Sequence, residues 1–400
     1  MKLIWASLCF VFVYVSFLSD AQSTQAPKPE AEVVRVRLLK GSKKIQITGL
    51  GLRFQNLNQP YRQVSIPAGD ARRSLNALDF GTEAEVRLMD KEGKKIWALR
   101  INNKDPERLF SEKYLLIQGE NLRSGDKTLP SRVLLSVNSE DKVDVVGVVP
   151  LDEYVVGVLA SEMPLSWPLE TLKAQAVAAR SYALAVMEER KNQPFHLESS
   201  VLDQVFRHVL DGDEKDPLIK KAIQAVRETA GIKLYANKGQ VLKAFFHSDC
   251  GGKTTTAKNV WNTNVNAGVA VDSACPTNPR AHWKLTLSKD ELSRRLRVAD
   301  ISGLDLIKVP SEKRVKAVRV AFNGAPTKMV SANEFRQMLG FQELRSSLFE
   351  MKKIGESFLF QGQGYGHGVG LCQWGSRYLG QSGQSYRQIL KHYYPLALLN

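Results

Sequence analysis

Two separated stretches of the chain hold residue types that can do acid–base and ligand-binding chemistry. The first runs from Leu159 to Leu184 and places one carboxylate, Glu162, just before a proline-rich turn. Met163 and Trp167 give that carboxylate an apolar neighbourhood. Desolvation raises the pKa of a carboxyl group and keeps it protonated near neutral pH, as a general acid requires. The sequence therefore predicts Glu162 as a catalytic acid. The nearby acidic residues Asp152, Glu153 and Glu170 are typical of charges at helix starts, so no second acidic residue is expected to act as a partner.

The second stretch is a glycine-dense loop around one histidine, from Gly362 to Gly375. Its six glycines permit positive φ angles and a close approach of backbone N–H groups to a ligand. The loop lacks the Lys and Ser/Thr of a P-loop and does not match a dinucleotide fingerprint. Amide, hydroxyl, imidazole and flat aromatic groups bind saccharides well, and the predicted set is Gln363, Tyr365, His367, Gln373 and Trp374.

A third cluster has the residue types of a metal site. Two histidines and two cysteines form the ligand set of a tetrahedral structural zinc, namely His247, Cys250, Cys275 and His282. The spacing is loose, and an oxidising compartment equally allows a Cys250–Cys275 disulfide. Zinc, the disulfide and free thiols all stay open, and the predicted chemistry requires no cofactor. Cys372 lies in the glycine loop, but no third group would orient the neighbouring histidine, so a cysteine nucleophile is not expected.

The elements around Glu162 are predicted from apolar spacing. Val143 to Pro150 is an apolar strand, and the next residues have helical spacing and deliver Glu162 at a helix C-terminus, where the dipole also raises the pKa of a carboxyl group. Ser166 is the predicted N-cap of a second helix, which Pro168 opens and which ends near Arg190. Three polar residues of that helix are predicted to reach a cleft: Gln175, Arg180 and Tyr182.

The whole chain divides into four predicted parts. Residues 1–21 are a signal peptide, with a short basic start and an apolar run, and residues 22–32 form a flexible tail. Short alternating runs predict a β-rich N-terminal region over 33–142, and residues 143–395 mix strands with helices. We therefore expect an α+β protein with its chemistry in the second half.

Charge and compartment limit the function classes. The formal net charge is +15, spread along the chain, and no nucleic-acid-binding motif is present. A diffuse basic surface fits attraction to a polyanion, which for an exported protein is the cell wall or an outer-leaflet surface rather than nucleic acid. We expect an exported protein, in the periplasm or extracellular and associated with the cell wall, with no integral membrane segment after signal cleavage.

Four motifs in order resemble the stage II sporulation protein D (SpoIID/LytB) family. They are VPLDEYVVGVLASEMP, KAQAVAARSYAL, DCGGKTTTAKNVW and GHGVGLCQWG, within about Val143 to Tyr394. The resemblance implies a SpoIID-type mixed fold with a central helix next to the catalytic cleft. It also implies that Glu162 is the catalytic glutamate, and it matches five further positions to family motifs: Gln175, Arg180, Tyr182, His367 and Gln373. Some relatives bind zinc through cysteine and histidine near the third cluster.

The activity that the resemblance implies is lytic transglycosylation of peptidoglycan glycan strands. In such a reaction one glutamate protonates the oxygen of the MurNAc–GlcNAc bond and then assists attack by the sugar's own C6 hydroxyl, which gives a 1,6-anhydro product. The better-understood relatives prefer strands that lack stem peptides. The alternative function is a non-catalytic wall-binding modulator of an amidase, and other wall hydrolases such as an amidase are the expected protein partners.

Overall fold

The computed structural model describes residues 32–57, 83–91, 94–101, 108–110, 113–209, 213–237, 239–265, 267–272, 278–279 and 281–400. The predicted signal peptide, the predicted tail except Glu32, and Cys275 lie outside the described residues. The described residues form a mixed α+β structure with a β-rich N-terminal region, and the predicted fold class is confirmed. No helix in these ranges is long and apolar enough to cross a bilayer.

One large sheet occupies the N-terminal region. Neighbouring strands are antiparallel except for β1 and β10, and the order is β10-β1-β9-β8-β6-β2-β3-β4-β5, with β7 beside β6. The strands are β1 (Val33–Ser42), β2 (Lys44–Leu57), β3 (Glu83–Lys91), β4 (Lys94–Ile101), β5 (Arg108–Phe110), β6 (Tyr114–Ser124), β7 (Lys127–Thr128), β8 (Arg132–Val137), β9 (Val143–Pro150) and β10 (Leu197–Glu198). Alternate residues of β2, such as Ile45 and Ile47, are buried in the core of this region.

Gly49 and Gly51 are of a residue type that often forms turns, yet β2 continues through both residues. The pairing register of β2 with β6 shifts there, and Gly51 has a φ of 59°. The glycines therefore absorb an irregularity in a long strand instead of ending it.

Three helices follow the sheet: α1 (Leu151–Glu162), α2 (Leu169–Glu189) and α3 (Pro217–Glu228). Helix α2 is central, and residues from Thr171 to Val186 supply its buried face. The prediction that Ser166 caps α2 is wrong, since Pro168 is the N-cap and makes no side-chain bond. Trp167 donates its backbone N–H to the Pro164 carbonyl, so Ser166 belongs to the preceding turn.

The second half contains short strands and helices. Its strands are β11 (Leu234–Asn237), β12 (Gln240–Val241), β13 (Phe246–His247), β14 (His282–Ser288), β15 (Ile301–Lys308), β16 (Val315–Phe322), β17 (Ala325–Ser331), β18 (Phe349–Ile354), β19 (Ser357–Gln363), β20 (Leu371–Cys372) and β21 (Leu398–Leu399). Its helices are α4 (Ala257–Trp261), α5 (Lys289–Leu296), α6 (Ala332–Leu339), α7 (Gln373–Gln381) and α8 (Tyr386–Tyr393). Helix α2 packs against α7 and α8.

Two small sheets, β14-β19-β18 and β15-β16-β17, enclose a separate core together with α5 and α6. Phe335, Phe358 and Phe360 are among its buried residues. We call residues 281–363 the inserted module, because they separate the segment around Cys250 from the glycine loop. Helix α6 of this module begins with a reciprocal cap between Ser331 and Glu334.

Candidate active site

Glu162 is the last residue of α1, as the spacing of apolar residues predicts. Its side chain is mostly buried, and its Oε1 accepts a hydrogen bond from the Val205 N–H at 2.7 Å. Burial raises the pKa of Glu162 to about 7, against a lowering by the Val205 bond. Met163 and Trp167 are buried in the same core cluster as α1. Near neutral pH this carboxyl group therefore holds a proton that it can donate.

A short loop fixes the Val205 N–H in front of Glu162. The side chain of Asp203 is 2% exposed and accepts hydrogen bonds from Tyr182 Oη at 3.0 Å and from Arg190 at 2.7 Å. The neighbouring Gln204 is fully buried and accepts a bond from Tyr154 Oη at 2.9 Å. These contacts tie the loop to both α1 and α2, so the position of Val205 is determined by buried groups.

The glycine loop is built around close backbone contacts. Gly364, Gly366, Gly368 and Gly370 have positive φ, as the glycine density predicts. A Cβ on Gly370 would lie 2.0 Å from the Phe245 carbonyl oxygen. Glycine is therefore required there by contacts within the protein. These contacts hold the loop against the segment that contains β13.

His367 lies within a cluster of rings. Its ring centroid is 4.9 Å from that of Trp261, 5.4 Å from that of His247 and 5.9 Å from that of Phe245. The Val369 N–H donates to His367 Nδ1 at 3.0 Å, which leaves the ring hydrogen on Nε2 of the neutral imidazole. Burial lowers the pKa of His367 well below its usual value, and the positive charges of Arg336 and Arg314 act in the same direction.

A cavity of about 410 Å³ opens beside His367 and combines aromatic rings with polar groups. Three of the predicted ligand residues line it: Tyr182, Tyr365 and His367. The inserted module supplies part of the wall, including Asn333, Phe341 and Gln342. Rings interleaved with hydroxyl and amide groups suit a saccharide, which presents apolar ring faces and hydroxyl edges.

Glu162 is not among the residues that line this cavity. It contacts the loop that contains Asp203, a residue of the cavity wall, through the Val205 N–H, and in the described part of the chain no hydrogen bond joins it to His367. Contacts between other residues connect the two sites. Tyr182 Oη donates a hydrogen bond to the Asp203 carboxylate, and the Tyr182 ring centroid lies 5.5 Å from that of Phe245, which packs against His367. The two motifs thus belong to one packed region, while Glu162 and His367 are linked through intermediate residues.

The other predicted ligand residues face the protein interior. Gln175 is fully buried in α2, and Gln373 is 4% exposed at the start of α7. Arg180 is buried and donates to the Thr229 carbonyl at 2.9 Å and to Asp152 at 3.1 Å, where the sequence indicates only a helix-start charge. Arg180 therefore joins α1 and α2 to the C-terminal end of α3.

Two further predicted ligands join segments of the fold. Gln363 Nε2 donates to the Gly251 carbonyl at 3.0 Å, and the Trp374 ring packs edge-on against Trp167 at 5.3 Å. The Trp374 contact connects the glycine loop to the turn that follows Glu162. Ligand binding by these interior residues stays a prediction, and their contacts indicate a role in holding the two motifs together.

Several cavity residues have no signal in the sequence. Asp203 lies in the interval 192–216, which looks like an insertion, and a lone acidic residue there forms no pattern. Asn333 and Gln342 come from the inserted module and reach the cavity only through tertiary packing. For Trp261, which also lines the cavity, the sequence does give a signal, because it is the last residue of the DCGGKTTTAKNVW motif.

The described residues bring together a metal-type cluster that differs from the predicted one. Ligand atoms of His247, Cys250 and Cys372 all lie within 4.8 Å of one another. His282 is exposed at the start of β14 and pairs with Gln363, and it does not belong to this cluster. The prediction missed Cys372 because 122 residues separate it from Cys250 and only the fold makes them neighbours.

Comparison with known proteins places these features in a family context. The model of the SpoIID family, described as stage II sporulation protein, matches residues 139–235, and a domain of unknown function, DUF8618, matches residues 270–370. The chain is 32% identical to a stage II sporulation protein D of Bacillus amyloliquefaciens over 62% of this chain and 73% of that protein. It is 31% identical to an uncharacterized protein of Brachyspira hyodysenteriae, over 65% of this chain and 69% of the relative.

A more distant similarity is to a protein named amidase enhancer in Bacillus subtilis (strain 168). The identity is 27%, over 60% of this chain and 39% of that protein. The match therefore covers less than half of the enhancer.

Proposed function

Because this chain belongs to the SpoIID family of stage II sporulation proteins, we propose that it is a lytic transglycosylase that cleaves peptidoglycan glycan strands. The bond is the one between MurNAc and GlcNAc, and the product carries a 1,6-anhydro ring. The single observation that carries the proposal is the buried Glu162, whose pKa is raised to about 7. A carboxyl group with that pKa is protonated in about half of the molecules at neutral pH and ionises readily after proton transfer.

Glu162 acts twice in the proposed reaction. Its carboxyl group first gives a proton to the glycosidic oxygen as the C1–O bond breaks, which leaves a carboxylate. That carboxylate then takes the proton of the C6 hydroxyl as O6 bonds to C1, so Glu162 returns to its protonated form and no water is consumed. A general acid–base group of this kind contributes about 10²- to 10⁴-fold in rate.

The hydrogen bonds that the Asp203 carboxylate accepts favour lytic transglycosylation over hydrolysis. A hydrolase needs a second carboxylate, either to activate water or to attack C1. Asp203 lies on the loop that touches Glu162, but its two oxygens accept bonds from Tyr182, Arg190 and the Glu198 N–H. A carboxylate whose two oxygens are held by three donors is not free to orient a water molecule or to attack C1, which leaves the substrate's own hydroxyl as the nucleophile.

The cavity beside His367 would hold the sugars next to the scissile bond. The imidazole of His367, which the lowered pKa keeps neutral, adds an aromatic ring to the cavity wall. Tyr182 and Tyr365 supply further hydroxyl groups and ring faces. The net charge of +15 would draw an exported protein to the anionic cell wall.

The test is a digest of purified glycan, prepared with and without stem peptides, by the mature protein and by two variants. Glu162→Gln removes the acid and keeps the shape of the side chain. Glu188→Gln is the matched control, because Glu188 is exposed on α2 and, among the residues that the structure describes, pairs with Lys191 alone. We expect products lighter than hydrolysis fragments by one water molecule, formed by the wild type and by Glu188→Gln only.

Comparison of the two glycans reports whether this chain prefers strands that lack stem peptides. Intact glycan in every digest, together with retained glycan binding, would overturn the catalytic proposal. The remaining function would then be a wall-binding modulator of an amidase, to which the similarity with the protein named amidase enhancer points.

A further inference from the structure

We propose that Arg336 of the inserted module binds a carboxylate of the substrate in the cavity beside His367, and that this carboxylate is the free lactyl group of MurNAc. This role of Arg336 rests on the proposed function for its ligand, the glycan strand, and not on the catalytic step. It differs from a preference for strands that lack stem peptides, because it requires a negative charge at the lactyl group and not only the absence of a bulky peptide.

Arg336 is a buried cation without an acidic partner. It lies on α6, is 4% exposed and lines the cavity. Its Nε donates to the Leu344 carbonyl at 3.1 Å, and its Nη2 donates to the Arg345 carbonyl at 2.7 Å. Within the described ranges no carboxylate pairs with this side chain, and its Nη1 has no acceptor. Buried charges are normally paired, so the guanidinium has N–H groups left for an anion that enters the cavity.

The surroundings of Arg336 are electropositive. Burial lowers the pKa of Arg336 to about 10, and the positive charge of the buried Arg314 acts in the same direction. A guanidinium with that pKa still carries its charge at neutral pH. An anion beside Arg336 would therefore be attracted by two buried positive charges, at a place where water screens them weakly.

The other charged residues of the cavity wall are already paired. Arg190 donates to Asp203 at 2.7 Å, and Lys243 bonds to Glu189 at 2.6 Å. Asp203 is the one carboxylate among the described residues that line the cavity. Of the cations in that lining, Arg336 is the one that a carboxylate can approach without displacing an existing partner.

The residues beside Arg336 suit a carboxylate that is attached to a sugar. Asn333 and Arg336 are three residues apart on α6, so they share one face of the helix, and both line the cavity. Gln342 accepts the Tyr365 hydroxyl through Oε1, which leaves its amide N–H groups for a ligand. The Phe341 ring packs on the guanidinium at 4.9 Å and holds its plane. Amide donors next to a guanidinium match the oxygens of a carboxylate and of the neighbouring sugar groups.

The lactyl group is the carboxylate that a peptidoglycan strand offers directly at a sugar ring. In a strand that bears stem peptides this group is an amide without charge, whereas in a stripped strand it is an ionised acid. A guanidinium forms charge-assisted hydrogen bonds with an ionised carboxylate and gains much less from a neutral amide. Arg336 would therefore make the charge of the lactyl group a condition for tight binding.

The test compares three ligands on the inactive Glu162→Gln variant of the full-length mature protein, so that binding is measured without cleavage. The ligands are a stripped glycan fragment with free lactyl acids, the same fragment with its lactyl groups converted to N-methylamides, and a fragment that bears stem peptides. Isothermal titration calorimetry should show that the free acid binds about 10- to 100-fold more tightly than the methylamide. Because the methylamide lacks both the charge and the bulky peptide, it separates the effect of charge from that of size.

A second substitution assigns the difference to Arg336. Arg336→Gln, added to the inactive variant, should abolish most of the difference between acid and methylamide, and Arg336→Lys should retain part of it because the cation is kept. Arg319→Gln is the matched control and should retain the full difference. Arg319 belongs to the same module, is exposed on β16 and pairs with Asp305 at 3.8 Å.

Arg336 also holds two carbonyl groups of its own module, so the melting temperature of each variant shows whether it is folded. If Arg336→Gln does not fold, Lys243→Gln takes its place, because Lys243 is the competing cation of the cavity wall. The difference between acid and methylamide must then survive in Lys243→Gln.

Three results would overturn the proposal. One is equal binding of the free acid and the methylamide, and another is a difference that persists in folded Arg336→Gln or is lost in Lys243→Gln. The third is tightest binding of the peptide-bearing fragment, lost in Arg336→Gln, which would assign Arg336 to a carboxylate of the stem peptide. Cleavage by the wild type tests the proposed function separately: selective binding of the free acid without any cleavage would keep this role of Arg336 and overturn the catalysis.

Discussion

Glu162 and His367 show the same physical cause acting in opposite directions. Burial penalises the charged form of each group, so it raises the pKa of the glutamic acid to about 7 and lowers the pKa of the histidine well below its usual value. Near pH 7 the histidine is therefore neutral, and the glutamic acid keeps its proton in about half of the molecules. The comparison shows that burial favours the neutral form of a polar group in two motifs of different composition.

The two motifs differ in how they are held. Glu162 ends a helix, and one loop with Asp203 at its centre supports it from the side. His367 lies in a loop whose shape depends on distant segments, including the Phe245 carbonyl that crowds Gly370. Changes at the first motif should therefore alter chemistry, and changes at the second should alter folding.

The largest expected effect is on cleavage by Glu162→Gln. If the proposed role is right, this variant should lose about 10²- to 10⁴-fold in rate, because the amide has no acidic proton to donate. Its native structure should be retained, since the variant keeps the size of the side chain. Initial rates of anhydro-product release check this, with Glu188→Gln as the control. A rate within about threefold of the wild type would show that another residue donates the proton.

At the glycine loop, Gly370→Ala should destabilise the protein by about 3 kcal/mol or more, through a backbone clash in addition to positive φ. A Cβ there would lie 2.0 Å from the Phe245 oxygen. Gly383→Ala is the matched control, because Gly383 also has positive φ but has nothing within 4 Å of the added carbon. Urea unfolding measures the free energy of unfolding of both variants. Equal destabilisation would mean that the backbone shifts at Gly370 and relieves the clash.

The opposite pKa shifts should give opposite pH dependences of stability. The stabilisation from protonated Glu162 is complete below its unfolded pKa of about 4.5 and is lost as pH rises to about 7, up to about 3 kcal/mol. For His367 the sign reverses, because the unfolded state binds a proton more readily and stability falls as pH drops below about 6.5.

Urea unfolding across this pH range separates the two contributions. Glu162→Gln should abolish the loss of stability between about pH 4.5 and pH 7, and His367→Gln should abolish the loss at acidic pH. Parallel curves for the wild type and Glu162→Gln would contradict the raised pKa of Glu162.

A smaller effect is expected at the loop that supports Glu162. Asp203→Asn weakens the buried bonds to Arg190 and Tyr182, and we expect it to lower stability by about 1–3 kcal/mol and to reduce cleavage, because the Val205 N–H becomes less well placed. Asp305→Asn is the control, since Asp305 is exposed and pairs with Arg319 at 3.8 Å. Equal effects of the two variants would show that the loop does not position Glu162.

The sequence predicts the first motif better than the second for a physical reason. Helix α1 and its end at Glu162 follow from apolar residues at helical spacing, which is a local signal. The neighbours of the glycine loop follow from pairings such as Asp249 with Tyr365, and no periodic pattern records those. The same limit applies to the predicted metal set, which used cysteines and histidines close in the chain and left out Cys372, a neighbour of Cys250 only in the fold.

The part of the cavity wall that the inserted module supplies could not be predicted from the sequence either. Asn333 and Gln342 belong to a unit with its own core, and their approach to His367 depends on how that unit packs. The predicted N-cap of α2 was wrong by two residues, because Pro168 and not the polar Ser166 is the N-cap.

The most direct test of the account is the titration of Glu162 itself. The infrared band of its protonated carboxyl group can be isolated by subtracting the spectrum of Glu162→Gln from that of the wild type at each pH. We predict a band that persists above about pH 5 and disappears with a midpoint at about 7. A midpoint near 4.5 would mean that burial does not keep the proton on Glu162, and it would contradict the proposed role as the acid.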